Sequence, residues 1–421
     1  MTQPTDSLNV YLVGGAVRDQ LLERPVKDRD YLVVGASQAQ MLSLGFLQVG
    51  KDFPVFLHPQ TKEEYALART ERKQGHGYTG FTCYAEPDVT IEQDLLRRDL
   101  TINAMALSTS GELIDPYQGQ QDLEKRLLRH VSPAFIEDPL RVLRVARFAA
   151  RYHSYGFRVA DETMTLMKQL ASSGELSDLS AERVFSELER SLTEAHPEVF
   201  FEVLRACGAL KVLWPELDAL WGVPNPAKWH PEICSGVHTM MVLQQSVKLS
   251  NKIEVRFAAL CHDLGKGITP TEQWPSHRGH ESTGLPLVEK SCKRFKVPNH
   301  FKTLALKVCQ YHLHCHKAFE LRPQTILKVF NALDIWRKPE LLTDFVLCCT
   351  ADARGRTHFE QAEYRQANYL LECGTKARAV VAKSFVEQGL KGEEIKQAME
   401  SARLAVISQT KAKWQQTLEQ V

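Results

Sequence analysis

Two aspartates, Asp28 and Asp30, stand directly before an apolar run, residues 31–34, that predicts a β-strand. Because side chains alternate along a strand, residues two apart leave on the same face, so both carboxylates are expected to lie together. Two hard carboxylates held close together suit Mg²⁺, which takes waters and phosphate oxygens as its remaining ligands. The pair therefore predicts a magnesium site that also receives phosphate groups.

A pair of glycines, Gly14 and Gly15, ends a second predicted strand, residues 10–13, and opens a short helical segment that carries Arg18. Glycine has no side chain to obstruct a ligand, and the amides at a helix start bind anions, so a triphosphate can approach the backbone here. Arg18 is close enough in sequence to contact the same phosphates. A Gly-Gly turn or an Asp-x-Asp pair alone is common, but the two on adjacent strands indicate a nucleotide site.

The acidic pair needs a sheet to hold it, and the next residues predict more of that sheet. Residues 53–58 and 64–69 have the pattern of a hairpin that turns at Pro59-Gln60-Thr61. Thr70 to Pro87 is polar, contains three glycines and lacks periodicity, so we expect a long mobile loop beside the site. Glu71, at the start of this loop, is either a third carboxylate of the metal site or an exposed strand-end residue.

Residues 97–104, Arg-Arg-Asp-Leu-Thr-Ile-Asn-Ala, predict the opening of a helix whose apolar side chains pack inward. The glycine turn, the acidic pair and this segment, in that order, resemble the bacterial class II tRNA nucleotidyltransferases, the CCA-adding enzymes of the DNA polymerase β superfamily. The bacterial poly(A) polymerases share these motifs. The resemblance implies a catalytic acidic pair that binds Mg²⁺, and nucleotide contacts from a glycine and two arginines. These residues are Asp28 and Asp30 for the metal, and Gly15, Arg18 and Arg98 for the nucleotide.

A second informative segment begins at Glu137, with Asp138 as the expected helix cap and Pro139 at the first helical position. The arginines that follow are three or four residues apart, which places them on one helix face while valines and alanines turn away. From residue 123 to 158 the chain carries eight basic and three acidic residues, a local excess in a nearly neutral protein. This face is either solvated or in contact with triphosphate or RNA, and its place after a phosphate site favours contact. It consists of Arg141, Arg144, Arg147 and Arg151.

The sequence Glu137-Asp138-x-x-Arg141 also resembles the base-reading motif of the same family. In that family the aspartate and the arginine present hydrogen-bonding edges to the incoming base, so that the protein replaces a template. For Asp138 and Arg141 this implies acceptance of CTP and ATP, because a carboxylate accepts from the exocyclic amine that cytosine and adenine share. Arg144 and Arg147 continue the face as expected nucleotide contacts. Residues 160–222 predict helices without catalytic groups, and we assign them to tRNA recognition.

A histidine-rich half begins near residue 229. His238 stands in a predicted helix, and 24 residues later His262-Asp263 ends an apolar helix and precedes Leu-Gly-Lys-Gly. Histidine nitrogens and carboxylate oxygens from packed helices suit a divalent transition metal. The stretch resembles the HD phosphohydrolase domain, a helical metal-dependent phosphatase or phosphodiesterase fold. Lys266 either contacts a substrate phosphate or caps the helix. Three further residues are unranked candidate ligands: His280, His312 and Asp352.

The joined pattern resembles the multifunctional CCA proteins of proteobacteria essentially from end to end. The resemblance implies addition and repair of the 3′-terminal CCA of tRNA with Mg²⁺. It also implies phosphatase, 2′-nucleotidase and 2′,3′-cyclic phosphodiesterase activities, with Ni²⁺ as the favoured ion of the HD site. We expect an α+β chain with a polymerase-β-like head and mixed sheet over residues 1–136. A helical neck and body over 137–225, the HD domain over 229–340 and a helical region over 341–421 are expected to follow.

The composition is that of a globular protein, with 43% hydrophobic and 24% charged residues, and 421 residues predict two to four domains. No run approaches the length of a membrane span and no signal pattern is present, so we expect a cytoplasmic protein without a membrane partner. Ten cysteines without a CxxC pair are expected to be reduced and buried. A net charge of +1 argues against a uniformly basic nucleic-acid binder but allows a local basic face. The sequence does not choose between monomer and homodimer.

Three other functions are compatible with parts of the pattern. A poly(A) polymerase shares the first motifs, but these enzymes lack the HD unit and typically carry a basic C-terminal extension. Residues 392–421 here predict instead a mixed-charge amphipathic helix pair. A nucleotide-sensing regulator with an inactive transferase fold is disfavoured because both aspartates are present. The third alternative is an HD phosphohydrolase whose N-terminal part only binds tRNA.

Overall fold

The computed structural model describes residues 4–49, 55–73 and 81–419. The chain divides into two compact units, Met1–Glu187 with Val199–Leu213, and Leu188–Glu198 with Trp214–Val421. In the described ranges, no helix is both long and apolar enough to cross a membrane. No disulfide joins the cysteines, most of which are buried, in agreement with the prediction of reduced thiols.

The first unit is built around a mixed sheet. The strands of this unit are β1 (Asn9–Val13), β2 (Asp30–Val34), β3 (Leu47–Val49), β4 (Val55–Leu57), β5 (Glu64–Leu67), β6 (Thr70–Lys73), β7 (Phe81–Tyr84), β8 (Ala106–Ser108), β9 (Leu113–Ile114), β10 (Leu127–Leu128) and β11 (Arg158–Val159). Seven of them lie in the order β3-β4-β5-β2-β1-β8-β9. β2 and β5 are parallel, and the other neighbours in this sheet are antiparallel. Leu32 and Val33, adjacent in β2, are buried in separate hydrophobic clusters, so both faces of the central strand are covered.

The two strands predicted beside the site and the predicted hairpin are confirmed by β1, β2, β4 and β5. The mobile loop predicted over Thr70–Pro87 is wrong at its ends, because β6 and β7 pair antiparallel, from Thr70 with Tyr84 to Lys73 with Phe81. β6 consists of four polar residues, Thr-Glu-Arg-Lys, so the alternation of apolar and polar residues that signals a half-buried strand is missing there. Residues 74–80 and the side chain of Glu71 lie outside what the structure describes.

Helices alternate with the strands in the first unit and then replace them. The helices up to residue 213 are α1 (Gly15–Leu21), α2 (Gln38–Ser43), α3 (Ile91–Leu96), α4 (Gly119–Glu124), α5 (Leu140–Tyr152), α6 (Asp161–Ser173), α7 (Ala181–Thr193), α8 (Glu198–Ala206) and α9 (Ala209–Leu213). The predicted helical character of residues 160–222 is confirmed, and so is the α+β class with a mixed-sheet head.

The helix predicted over residues 97–104 is wrong, because the chain forms there only a 3₁₀ turn, Thr101–Asn103, after an extended Leu100. The side chains of Thr101 and Asn103 donate hydrogen bonds to Asp122 and Asp99, and these local bonds compete with helix formation. The predicted inward packing is nevertheless correct. Leu100, Ile102, Ala104 and Met105 are all fully buried.

The second unit is helical. Its helices are α10 (Pro215–Asp218), α11 (Ser235–Leu249), α12 (Ile253–Cys261), α13 (His280–Arg294), α14 (Asn299–His316), α15 (Pro323–Leu333), α16 (Glu340–Arg354), α17 (Arg365–Arg378), α18 (Lys383–Glu387) and α19 (Glu393–Glu419). Phe257 of α12 is fully buried and contacts the rings of Trp214 and Phe301. The helix pair predicted over residues 392–421 is wrong, because α19 runs unbroken. It follows Gly392, and no glycine or proline interrupts its sequence.

Candidate active sites

The glycine turn brings backbone and guanidinium groups close together in the first unit. Gly14 has a positive φ of 67°, and a Cβ at this position would lie 2.8 Å from Nη1 of Arg98. A Cβ on Gly15, the first residue of α1, would lie 3.3 Å from Nη2 of Arg18. The turn therefore needs glycine at Gly14 for both its backbone angle and its space. Three residues predicted to contact the nucleotide, Gly15, Arg18 and Arg98, converge on this turn.

The two predicted metal-binding aspartates lie beside the same turn. β2 begins at Asp30, one residue earlier than predicted, and Asp30 pairs with Val13 at the end of β1. Asp28 precedes the strand, so strand alternation does not itself place the two side chains together. Partial burial raises the pKa of Asp30, Arg98 lowers it, and the neighbouring charge of Asp28 raises it further. Two carboxylates that repel each other fit a hard divalent cation such as Mg²⁺.

A buried hydrogen-bond network links Arg18 to Arg144 of α5. The guanidinium of Arg18 donates to Oδ1 of Asn103, whose Nδ2 donates to Oδ1 of Asp99 over 3.0 Å. Nε of Arg144 donates to Oδ2 of Asp99 over 2.7 Å. Burial alone would raise the pKa of Asp99, but the charge of Arg144 and the bond from Asn103 hold it well below its usual value. Asp99 therefore stays ionised and orients two of the arginines predicted to contact the nucleotide.

Asp94 of α3 fixes the two arginines that follow this helix. Its Oδ1 lies 2.9 Å from Nη2 of Arg97, and its Oδ2 lies 3.2 Å from Nη2 of Arg98. Arg98 also donates to the backbone carbonyl of Asn103 over 3.3 Å, while its buried Nε makes no hydrogen bond in the described structure. Asp94 is fully buried and acts through Arg98, and the sequence analysis did not identify it.

The arginines of α5 are held by the protein itself. Arg141 donates to the carbonyl oxygens of Ala134 and Arg97. Arg147 is buried and donates to Glu187, a partner that the sequence analysis missed. Arg151 lies 3.6 Å from Asp19. The face is therefore less uniformly positive than predicted, since acidic groups from α1 and α7 meet it. Nucleotide contacts from Arg144 and Arg147 stay a prediction.

Asp138 and Arg141, the predicted base-reading pair, stand at the start of α5. The helix begins at Leu140 with Pro139 in the cap position, one residue later than predicted, although Oδ1 of Asp138 accepts a hydrogen bond from the Leu140 amide. Oδ2 of Asp138 also lies 3.0 Å from Nη2 of Arg183. The side chains of Asp138 and Arg183 are partly exposed, so Arg183 orients Asp138 while the carboxylate remains accessible.

The second unit brings all the predicted metal ligands together from five segments. His238 lies on α11, His262 and Asp263 directly follow α12, and the others come from α13, α14 and α16. Nitrogen and oxygen atoms of His238, His262 and Asp352 form one triad within 4.8 Å of each other, and those of Asp263, His280 and His312 form a second. Asp263 connects them, since its Oδ2 lies 3.1 Å from Nε2 of His262 while Oδ1 faces His280 and His312. A third group of the same kind, His230, Glu232 and His238, shares His238 with the first triad. None of these groupings was predicted from the sequence.

The histidine tautomers fit a metal. Nδ1 of His262, His280 and His312 each lies within hydrogen-bonding distance of a backbone carbonyl, which can only accept. When these rings are neutral, Nδ1 carries the proton and the unprotonated Nε2 atoms face the centre, where those of His280 and His312 are only 3.3 Å apart. Nε2 of His262 and Oδ1 of Asp263 are buried without hydrogen-bond partners among the described residues. Lone pairs that converge in this way fit divalent cations.

Two residues that were not predicted from the sequence contact the candidate metal ligands and orient them. Oε1 of Glu232 lies 3.0 Å from Nδ1 of His238, and Nε2 of His316 lies 2.7 Å from Oδ2 of Asp352. Burial alone would lower the pKa of His238, but its hydrogen bonds with Asp352 and Glu232 raise it to about 9. Glu232 stands only six residues before His238, and His316 follows His312 by one helical turn. That spacing was the one local signal in the sequence for either residue.

Known proteins resemble this chain over nearly its whole length. Residues 10–129 match the poly A polymerase head domain, residues 156–220 the probable RNA and SrmB-binding site of polymerase A, and residues 236–336 the HD domain. A multifunctional CCA protein of Pseudoalteromonas atlantica is 61% identical over 401 residues, which cover 95% of this chain and 99% of that protein. The chain belongs to the multifunctional CCA protein family. The HD match spans every residue of the two triads except Asp352.

Solved structures of CCA-adding enzymes share the fold of this family member. The Thermotoga maritima enzyme, complexed with tRNA, has a TM-score of 0.62 at 17% identity, and the alignment covers 98% of this chain and 93% of that one. A CCA-adding enzyme in complex with CTP has a TM-score of 0.65 at 20% identity, with 96% and 89% covered. At these identities the likeness concerns the fold.

Proposed function

We propose that this chain adds the sequence CCA to the 3′ end of tRNA from CTP and ATP, without a nucleic-acid template, and repairs incomplete ends. The observation that carries the proposal is the identity of 61% to a multifunctional CCA protein over 95% of the chain. Complexes of related folds with CTP and with tRNA support it. So does the convergence of Asp28, Asp30, Arg18 and Arg98 on the glycine turn.

In this proposal, different residues of the first unit bind the metal, the triphosphate and the base. Asp28 and Asp30 hold Mg²⁺, which when bound activates the tRNA 3′-hydroxyl and stabilises the leaving pyrophosphate. Gly15 leaves the backbone open to the triphosphate, and Arg18 and Arg98 neutralise its charge. Asp138 and Arg141 hydrogen-bond the base, and Arg144 and Arg147 support the nucleotide from the same helix.

We propose that the centre in the second unit is a metal-dependent phosphohydrolase. Its expected activities are those of a phosphatase, a 2′-nucleotidase and a 2′,3′-cyclic phosphodiesterase, with Ni²⁺ as the expected ion. The two triads support a centre for up to two ions, with Asp263 between them. His238, His262 and Asp352 would hold one ion, and Asp263, His280 and His312 the other. Such ions polarise a phosphoryl group and activate water when they are bound.

The first experiment is incorporation of labelled CTP and ATP, with Mg²⁺, into a tRNA that lacks its last three nucleotides, resolved at single-nucleotide length. We expect growth by three residues that then stops, with ATP used only after CTP. Long A tails would identify a poly(A) polymerase instead. Absence of incorporation would leave the second unit as the main enzyme and the first as its RNA-binding part.

The second experiment measures release of phosphate from 2′-nucleotides and opening of 2′,3′-cyclic nucleotides by the metal-loaded chain. We expect both activities with a transition metal, and their loss in H262A and D263A variants. Nucleotide incorporation by the same variants is the control for folding. Hydrolysis that persists in both variants would contradict the proposed hydrolase function.

A further inference from the structure

A buried asparagine beside the histidine–aspartate centre has an unpartnered hydrogen-bond donor among the described residues, and its carbonyl oxygen meets a buried lysine. Nζ of Lys266 lies 2.6 Å from Oδ2 of Asp263 and donates to Oδ1 of Asn225 over 2.9 Å. Both side chains belong to residues that are less than a tenth exposed. Nδ2 of Asn225 is buried and has no hydrogen-bond partner among the described residues.

The orientation of the Asn225 amide follows from its neighbour. Lysine can only donate, so the atom of Asn225 that faces Nζ must be the carbonyl oxygen, and the NH₂ group must point elsewhere. This NH₂ group carries two N–H donors, and a buried donor without an acceptor costs about 1–3 kcal/mol. Native structures rarely tolerate such a cost unless a ligand or an ordered water supplies the acceptor.

The backbone holds Asn225 firmly in this place. The carbonyl of Val223 accepts a hydrogen bond from the Ser235 amide over 2.8 Å, and the carbonyl of Pro224 accepts one from Nε2 of His277, also over 2.8 Å. The carbonyl of His277 in turn lies 2.8 Å from Nδ1 of His280, a member of the second triad. Asn225 is thus tied to the metal centre through Lys266 on one side and through His277 and His280 on the other.

The chemistry of these donors selects an anion. An ammonium group repels cations, and an amide NH₂ group can only donate hydrogen bonds. Together they favour a ligand that is negatively charged and accepts hydrogen bonds over a cation or a neutral base. The described contacts of Nζ are to side chains and not to helix-end carbonyls, so Lys266 is not a helix cap. We infer that Asn225 and Lys266 form a subsite for the non-bridging oxygens of a phosphate ester at the metal centre. This inference rests on the proposed hydrolase function and names two residues that bind its substrate.

The variant N225D separates this role from a structural one. Aspartate has the same size and keeps an acceptor for Lys266, but it loses both N–H donors and adds a charge that repels phosphate. In the full-length, metal-loaded chain we expect the KM for p-nitrophenyl phosphate and the inhibition constant of inorganic phosphate each to rise at least about 10-fold, the loss expected for a hydrogen bond to a charged group. Bound metal per chain should stay at the wild-type value.

The control is N331D, because Oδ1 of Asn331, an exposed residue of α15, likewise accepts a side-chain hydrogen bond, here from Nε1 of Trp336. This variant should leave the KM and the inhibition constant unchanged. If N225D behaves like N331D, Asn225 only anchors Lys266 or binds a water, and the inference is overturned. Loss of metal from N225D would overturn it as well.

A folding failure of N225D, seen as loss of nucleotide incorporation, would be answered with N225S, which removes the amide without adding charge. N225S should also weaken inhibition by phosphate at full metal content, and unchanged inhibition would overturn the inference. Failure of the proposed hydrolase itself would look different, since the wild-type chain would then hydrolyse no ester. In that case calorimetric titration of the metal-loaded wild type with inorganic phosphate still tests the subsite, and absence of binding would overturn it.

Discussion

Nε of Arg144 and Oδ2 of Asp99 are 2.7 Å apart, and this bond joins the segment after α3 to the arginine helix α5. The other oxygen of Asp99 accepts from Asn103, which in turn accepts from Arg18. Two arginines predicted to contact the nucleotide are therefore oriented through one carboxylate. Neither the acidic pair nor the arginine spacing alone predicted this connection.

Replacement of Asp99 by Asn should weaken the network without removing its shape. We expect the free energy of unfolding of the first unit to fall by about 1–3 kcal/mol, because a buried charge-assisted bond is lost. The low pKa of Asp99 means that its stabilisation is complete above the pKa of the unfolded carboxyl and is lost as the pH falls below it. Thermal unfolding of wild type and D99N should therefore differ most at neutral pH and converge in acid. An equal difference at all pH values would contradict this assignment.

Removal of either carboxylate of the acidic pair should abolish transfer selectively. We expect D28N and D30N to incorporate CTP at least about 100-fold more slowly, since metal binding and its charge stabilisation are lost. Single-nucleotide gels measure this rate. Phosphate ester hydrolysis by the second unit serves as the control and should be unaffected, and a variant that still extends tRNA at the normal rate would exclude Asp28 and Asp30 as metal ligands.

Substitution of Gly14 by Ala should reduce nucleotide affinity more than it reduces stability. The backbone of Gly14, with φ 67° and ψ −126°, costs an alanine about 1–3 kcal/mol, and the new Cβ would displace the guanidinium of Arg98. Gly45 is a matched control, because it also has a positive φ, 86°, but a Cβ on this residue would have no neighbouring atom within 4 Å. We expect G14A and G45A to lose similar stability and only G14A to raise the KM for CTP. Equal KM values in the two variants would show that Arg98 does not depend on this turn.

Substitution of Glu232 by Gln should weaken metal binding. Glu232 contacts Nδ1 of His238, and loss of such an outer partner of a metal-binding histidine typically costs about 10- to 100-fold in affinity. Competition with a chromophoric chelator measures the dissociation constant. E254Q is the control, because Glu254 also contacts a histidine, His300 at 3.6 Å, outside the centre. The role of Glu232 is refuted if both variants bind metal as the wild type does.

An ion pair between α10 and α13 should make the second unit sensitive to acid. Glu216 accepts two hydrogen bonds of 2.7 Å from the guanidinium of Arg294. Burial alone would raise the pKa of Glu216, but these bonds lower it, so its stabilisation disappears as the pH falls below the unfolded carboxyl value. We expect E216Q to lower the unfolding free energy by about 1–3 kcal/mol near neutral pH and to have little effect in strong acid. Melting curves under both conditions test the sign.

The sequence allowed the strands, the acidic pair, the glycine turn and the histidine–aspartate motif to be predicted because each is signalled within a few residues. The ribbon of β6 and β7 was missed because β6, Thr-Glu-Arg-Lys, has no apolar residue and so lacks the alternating pattern of a half-buried strand. The helix expected over residues 97–104 gave way to side-chain bonds with Asp99 and Asp122, which local patterns do not reveal. Long-range packing overrode local preference there.

In the candidate sites, too, local motifs could be predicted from the sequence and long-range contacts could not. Residues named by a motif, such as His262 and Asp263, were found from sequence, whereas their partners were not. The spacing of Asp94 and Arg98, four residues apart, was a local signal for their ion pair. Glu187, in contrast, meets Arg147 from 40 positions away. Asn225 contacts the side chain of Lys266, 41 positions away. Such contacts exist only after the chain has folded, so a single sequence contains no direct sign of them.

Asp263 faces both metal triads, one oxygen towards each. The two positions therefore cannot be lost or altered independently at this residue. Changes at His280 or His312 would spare the first triad, and those at His238 or Asp352 would spare the second, so a graded series of partly loaded proteins is accessible by substitution. A substitution at Asp263 has no such intermediate, because it would disturb both positions at once.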